Sequence, residues 1–256
     1  MLNFIDVHTH LADKKLIDNI NAVRDNYLAQ GVKLVIDSGC DIETTKTCYQ
    51  NSLKYNEVYF TAGVHPGCAN DFDLTDLPDI EDLAKADKCL AVGECGLDYH
   101  YDGYDKEKQF KVFESQIALA NKLNKPLVIH ARDACKDTVD ILTANKNYLT
   151  NGFLMHCFSE SIETAKILLD LGGYFSFGGV VTYKNAKRID VVKQIPLNRL
   201  LIETDAPYLS PEPFRGKLNE PKNVAVTYKF IAENLGLDLQ YFTIKIQDNF
   251  KKLFKR

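Results

Sequence analysis

Phe4-Ile5-Asp6-Val7-His8-Thr9-His10 places two histidines two residues apart at the end of an apolar run. Residues i and i+2 of a strand point to one side, so His8 and His10 can aim both imidazoles at one point. Imidazole is a common metal ligand. Taken alone, a His-x-His pair is more often a solvated pair at a strand end. The rest of the chain adds weight to the metal reading. Of six histidines, His8, His10, His65, His130 and His156 all close apolar runs, and only His100, in a tyrosine-rich loop, does not. Glu94 and Asp205 close apolar runs as well. Besides His65 the set offers four imidazoles and two carboxylates. Such nitrogen and oxygen donors suit Zn²⁺, Mn²⁺ or Mg²⁺, and a carboxylate can bridge two ions.

Donors so far apart in sequence need a scaffold that gathers strand ends. Apolar runs at residues 32–36, 58–64, 89–94, 126–130, 152–156, 174–177 and 199–205 read as strands after the first one. Amphipathic stretches between them predict helices over 15–30, 41–55, 80–86, 106–123, 134–144, 161–171 and 187–194, with two more over 222–235 and 239–254. Eight near-continuous apolar strands, each followed by a helix, describe a parallel sheet covered on its outer face. The predicted fold is an α/β (β/α)8 TIM barrel, one domain over residues 1–256. An open doubly wound sheet is the competing topology, but no glycine-rich dinucleotide loop accompanies it. A barrel requires active groups at the C-terminal ends of its strands, where this reading puts all the candidate donors.

A chain of 256 residues with 45% hydrophobic content can bury a large core. No stretch approaches the roughly 20 apolar residues that span a bilayer, and no basic region with a following apolar run marks a signal peptide at the N-terminus. Seven cysteines without a C-x-x-C pair suggest neither a disulfide framework nor a zinc ribbon. A cytoplasmic protein with no obligate protein partner is the expectation. With a formal charge of −4, non-specific nucleic-acid binding through a basic surface is not expected. A phosphate substrate would have to be held locally, by metal and a few basic groups.

Several segments together resemble the TatD family of metal-dependent deoxyribonucleases, in the amidohydrolase-like superfamily. They are Phe4 to His10, Gly63-Val64-His65-Pro66, Gly93-Glu94-Cys95-Gly96-Leu97-Asp98-Tyr99, Pro126 to Asp133, His156-Cys157-Phe158-Ser159, Leu201-Ile202-Glu203-Thr204-Asp205-Ala206-Pro207, and Arg215-Gly216-Lys217-Leu218-Asn219-Glu220-Pro221. The resemblance runs nearly the whole length. It implies two divalent metal ions, one held by His8, His10 and Asp205, the other by His130 and His156, with Glu94 bridging. Departures from the family pattern are Val7 before the first histidine, Ala12 where an Asp or Asn is usual (with Asp13 one place late), and Leu218 where relatives often carry Arg.

On that basis Asp205, Glu94 and His65 are the catalytic candidates. Asp205 can ligate and receive the proton of the attacking water. His65 reads as a phosphate-contacting donor or an acid, or else as a residue that caps the loop before Pro66. Glu203 shares strand parity with Asp205 and can support a ligating histidine from behind. Arg132, Arg215 and Lys217 are the candidate substrate contacts, with carboxylate pairing the alternative for Arg132. Cys95 and Cys157 each follow a ligand and should point away from the site, as small core residues. Tyr99, His100, Tyr101 and Tyr104 either stack on bases of a single-stranded end or pack the loop. The preferred function is hydrolysis of DNA phosphodiesters from strand ends. The alternatives are an amido or ester hydrolase, such as a D-aminoacyl-tRNA deacylase, and a non-catalytic binding protein.

Overall fold

Eight parallel strands follow one another in sequence order around a single sheet, β1 to β8, each beside its successor. The computed structural model describes residues 2–256. The strands are β1 (Phe4–Thr9), β2 (Val32–Ser38), β3 (Val58–Ala62), β4 (Cys89–Asp98), β5 (Leu127–Arg132), β6 (Phe153–Met155), β7 (Gly173–Phe177) and β8 (Leu200–Ile202). The helices are α1 (Lys14–Ile17), α2 (Ile20–Ala29), α3 (Ile42–Lys54), α4 (Leu77–Ala84), α5 (Lys106–Leu123), α6 (Cys135–Ala144), α7 (Ile162–Asp170), α8 (Arg188–Val192), α9 (Val224–Asn234) and α10 (Leu239–Phe254). Every residue of β1, β4 and β7 is buried, because side chains on one face fill the barrel and those on the other meet the helices. This is the (β/α)8 barrel that the alternating pattern predicts.

The seam between β8 and β1 is bridged just beyond the last strand. Asp205 N–H donates to the His8 carbonyl at 3.0 Å, and His10 N–H donates to the Ala206 carbonyl at 2.7 Å. Closure therefore places one candidate ligand, Asp205, against two others.

Two elements differ from expectation. The helix predicted over 15–30 is two, because Asp18 and Asn19 interrupt it. Asp13 caps α1 by accepting the Lys15 N–H at 2.7 Å. Asn19 leaves helical geometry (φ −120°), and its carbonyl accepts from Val23 at 3.0 Å to start α2. Short polar side chains favour such interruptions. The other difference is β4, which runs on to Asp98, so Glu94 lies in mid-strand. Its register against β5 slips between Val92 and Cys95, which is a bulge. Glycine makes the bulge possible. Gly93 has φ +143°, and a Cβ there would lie 2.5 Å from the Val128 carbonyl oxygen. At Gly96 a Cβ would come within 2.0 Å of the His130 oxygen. β4 can therefore press onto β5 on both sides of Glu94.

Candidate metal centre

Glu94 sits at the middle of the barrel mouth, 2% exposed, and its two oxygens face different partners. Oε2 lies 3.2 Å from His8 Nε2 and 3.6 Å from His10 Nε2. Oε1 lies 3.0 Å from His130 Nδ1 and 2.9 Å from His156 Nε2. Within each pair the imidazole nitrogens also approach one another, at 3.3 Å for His8 and His10 and 3.1 Å for His130 and His156. Asp205 Oδ1 joins the first group, 3.3 Å from His10 Nε2 and 3.8 Å from His8 Nε2.

These groups fit divalent cations. Tetrahedral bonds of about 2.0–2.1 Å put neighbouring donors about 3.3–3.4 Å apart, close to the observed separations. Glu94 Oε2 is buried with no hydrogen-bond partner among the described residues, a costly state that a cation relieves. Burial alone would raise the Glu94 pKa, but the imidazoles of His156, His65 and His8 hold it well below the usual range. Glu94 is thus ionised.

Comparison with known proteins agrees with this chemistry. The family model described as TatD related DNase matches residues 5–255. The chain belongs to the TatD family. It is 40% identical over 251 residues to YabD of Bacillus subtilis (strain 168), covering 98% of each chain. It is 38% identical over 256 residues to YcfH of Escherichia coli (strain K12), covering 98% of this chain and 95% of the other. Both are described as uncharacterized metal-dependent hydrolases. Among solved structures, the TatD homologue YjjV of Escherichia coli K12 superposes with a TM-score of 0.93 at 27% identity, over 99% of this chain and 98% of that one.

In this TatD-family chain each candidate ligand histidine has a polar group near its other ring nitrogen, within hydrogen-bond geometry at His8, His10 and His130 and as a longer carboxylate approach at His156, an arrangement that sets the tautomer and ring orientation of metal-bound imidazoles. His8 Nδ1 faces Ser38 Oγ at 3.1 Å, and His10 Nδ1 faces the Ser38 carbonyl at 3.2 Å. His130 Nε2 meets Asp98 Oδ2 at 3.0 Å, and His156 Nδ1 stands 3.5 Å from Glu203 Oε1. The Ser176 hydroxyl donates to the other oxygen of Glu203. Glu203 thus stands behind His156, although strand parity with Asp205 does not place it there: β8 ends at Ile202 and Asp205 has φ +55°. Burial disfavours the charged imidazoles, but their partners prevail at three positions. Cys40 and Asp205 raise His10, Asp98 and Glu94 raise His130, and Glu94 and Glu203 raise His156.

Sequence reasoning passed over Ser38, Asp98 and Asp6. Asp98 was within reach, since it lies four residues beyond Glu94 on the same strand and so has the same parity. Ser38 ends a strand with no donor pattern and left no signal. Asp6 accepts from the Thr204 N–H at 2.9 Å and from its hydroxyl at 2.5 Å, which fixes the residue before Asp205.

His65 serves a capping and a site-facing role at once. Its Nδ1 accepts the Gly67 N–H at 3.0 Å, so the ring proton is on Nε2, the atom 3.5 Å from Glu94 Oε1. An Nε2 that carries a proton donates hydrogen bonds and does not ligate. Burial lowers the His65 pKa to about 4, so the ring is a neutral donor.

The remaining candidates divide between the cavity and the rim. A cavity of about 610 Å³ over the centre is lined by His10, His65, Glu94, Arg132, Asp205 and Tyr208, among others. Among the described residues Arg132 pairs with no carboxylate: its guanidinium lies over the Tyr101 ring at 5.3 Å, with Nη1 3.4 Å from the hydroxyl. Arg215 lies over Tyr183 at 4.3 Å. Arg215 and Lys217 are exposed and line neither this cavity nor its neighbour. The loop that carries them is pinned by buried Asn219, whose amide donates to the carbonyls of Thr204 and Tyr208 at 2.9 and 2.6 Å. Tyr99 stacks on Tyr104 at 4.8 Å and donates to Asp137 at 2.9 Å, which is loop packing. Tyr101 is 67% exposed. Cys95 is fully buried, as expected. Cys157 is not: with φ +45° it has left strand geometry, and it lines a second cavity beside the centre. Strand parity stops applying there because β6 ends at Met155.

Proposed function

We propose that this chain is a metal-dependent hydrolase of DNA phosphodiester bonds that works from strand ends and uses two divalent ions, with Glu94 bridging between the His8–His10–Asp205 group and the His130–His156 group. The division of the Glu94 oxygens between two histidine pairs carries this reading. Divalent ions held there supply a water acidified to near-neutral pKa and neutralise charge on phosphoryl oxygens. The chain's own groups do the rest. Asp205, whose carboxyl is lowered by the hydrogen bond to His10 against the upward pull of burial, takes the proton of the attacking water. His65 Nε2–H donates to a phosphoryl oxygen.

A nucleic-acid substrate is supported by the family and by the rim. Three cation–aromatic pairs stand at or just beyond the C-terminal ends of strands: Arg132 over Tyr101, Arg215 over Tyr183, and Lys15 over Tyr208 at 4.9 Å. Cations bind a phosphate backbone while exposed rings stack on bases. Arg215 and Lys217, outside the cavities, suit backbone contacts further along the strand. The test is one preparation loaded with Mg²⁺, Mn²⁺ or Zn²⁺ and assayed on linear and circular single-stranded DNA and on D-aminoacyl-tRNA. Shortening of linear strands with circles left intact is expected. Deacylation of the tRNA with all DNA intact would transfer the centre to carbonyl chemistry, and no turnover with any metal would leave a binding protein.

A further inference from the structure

The second cavity, about 280 Å³, opens beside the metal centre and shares His130, Arg132, His156, Asp205 and Leu209 with the larger one. Its own walls are of another kind. Phe158, Phe177 and Val181 are nearly buried, Val180 is half-buried, and Cys157 and Arg188 are also among the lining. The wall after β7 is held rigidly. Thr182 Oγ1 accepts the Glu212 N–H at 2.8 Å, and the Tyr183 hydroxyl donates to the Ser210 carbonyl at 2.8 Å. A Cβ on Gly179 would come within 2.2 Å of the Leu209 oxygen, so the two loops touch backbone to backbone. Arg188 is half-buried at this apolar wall. It has no ion pair or side-chain hydrogen bond among the described residues, although a desolvated guanidinium gains most from an anionic partner.

We propose that this cavity is a subsite for the terminal nucleoside of a strand, its base against Phe177, Val180 and Val181, with Arg188 holding a phosphate at the strand's end. The inference rests on the phosphodiester reading above and extends it. The volume lies just under the roughly 300–1,000 Å³ usual for ligand pockets, on the scale of one nucleoside. A centre flanked on one side by such a pocket acts at ends. On its other side the larger cavity, with the exposed Tyr101 and Arg132, takes the rest of the chain.

The test compares metal-loaded wild type with Val180→Trp, which fills the cavity, and Arg188→Ala at its half-exposed edge. Three chromogenic diesters, the 3′ and 5′ isomers of thymidine p-nitrophenyl phosphate and methyl p-nitrophenyl phosphate, give a selectivity ratio in kcat/KM. Wild type should favour one thymidine ester by about tenfold or more, the scale of base stacking, and Val180→Trp should bring the ratio close to one. Calorimetry should show thymidine monophosphate, but not inorganic phosphate, binding Val180→Trp about tenfold more weakly. Arg188→Ala should lose about tenfold or more on oligonucleotides with phosphate at both ends relative to the same strands with hydroxyl ends, the scale of a charge-assisted hydrogen bond. A wild-type ratio near one, a ratio that survives Val180→Trp, or an equal loss on both kinds of end in Arg188→Ala overturns the subsite. Failure of wild type to cleave any of the diesters overturns the phosphodiester reading itself, a result separable from the others.

Discussion

The two halves of the candidate metal centre present the same imidazole donors but brace them differently. His8 and His10, at the β1–β8 seam, lean on the hydroxyl and carbonyl of one residue, Ser38. His130 and His156 lean on carboxylates, Asp98 at 3.0 Å and Glu203 at 3.5 Å. A carboxylate behind an imidazole raises its basicity and strengthens its bond to a metal, and removing such a partner typically costs about 10–100-fold in metal affinity or activity. The comparison teaches that one carboxylate in the middle does not make two equal sites. The His130–His156 half should fill first, and the His8–His10 half, completed by Asp205, should be the more exchangeable. Asp205, the proposed base, belongs to that more exchangeable half.

Glu94→Gln should strike both halves together. Turnover should fall by more than about 10⁴-fold, as when one member of a catalytic unit is lost, and both ions should be depleted in metal analysis. Loss of a single ion would show that Glu94 belongs to one half. Asp205→Asn retains an oxygen of similar size and removes the base. Its kcat should drop about 10²–10⁴-fold while DNA still binds, and wild-type turnover in this variant would sink the assignment.

The bracing itself is tested by a pair of variants. Asp98→Asn should weaken the tighter ion by about 10–100-fold, and Ser38→Ala should act on the weaker ion and by less. Isothermal titration with Mn²⁺ or Zn²⁺ measures both, and equal effects would erase the distinction between the halves.

The smallest expected effect is on thermal stability against pH. His10, His130 and His156 are raised above the ordinary 6.5 in the metal-free protein. A raised folded pKa contributes stability that is complete below the unfolded value and is lost as pH climbs through the folded one. Ions require the neutral imidazole, so their binding strengthens over that same window. The rise in Tm on adding Zn²⁺ should therefore be larger near about pH 8 than near about pH 6, at about 2–4 °C per kcal/mol for a chain of this size. A gap independent of pH would mean that these imidazoles do not titrate in competition with metal.

Much of what converges on this candidate centre is legible in the sequence. Period-two spacing puts His8 and His10 on one face of a strand, because alternation follows from the backbone dihedrals of each strand alone; it does not extend to Glu203 and Asp205, which lie past the end of β8. Runs such as Val32 to Ile36 and Leu127 to Ile129 announce strands covered on both sides, and the barrel rule then collects their C-terminal ends. No helix among the described residues is long and apolar enough to cross a membrane.

Only the closed barrel decided the remainder. Which Glu94 oxygen meets which histidine pair depends on the β4 bulge and on the close approach at Gly93 and Gly96, set by register between strands rather than along one. Ser38 and Asp98 brace their histidines across neighbouring strands, at separations of 30 and 32 residues in the chain. Cys157 turns into a cavity because β6 ends two residues earlier, and parity ends with it. Arg188 reaches the same cavity from α8, a helix that the sequence predicts but in which nothing marks Arg188 as facing the site. Period and composition determine which residues share a strand face. Which faces then converge on one point is a matter of closure, twist and loop contact, all of which are long-range.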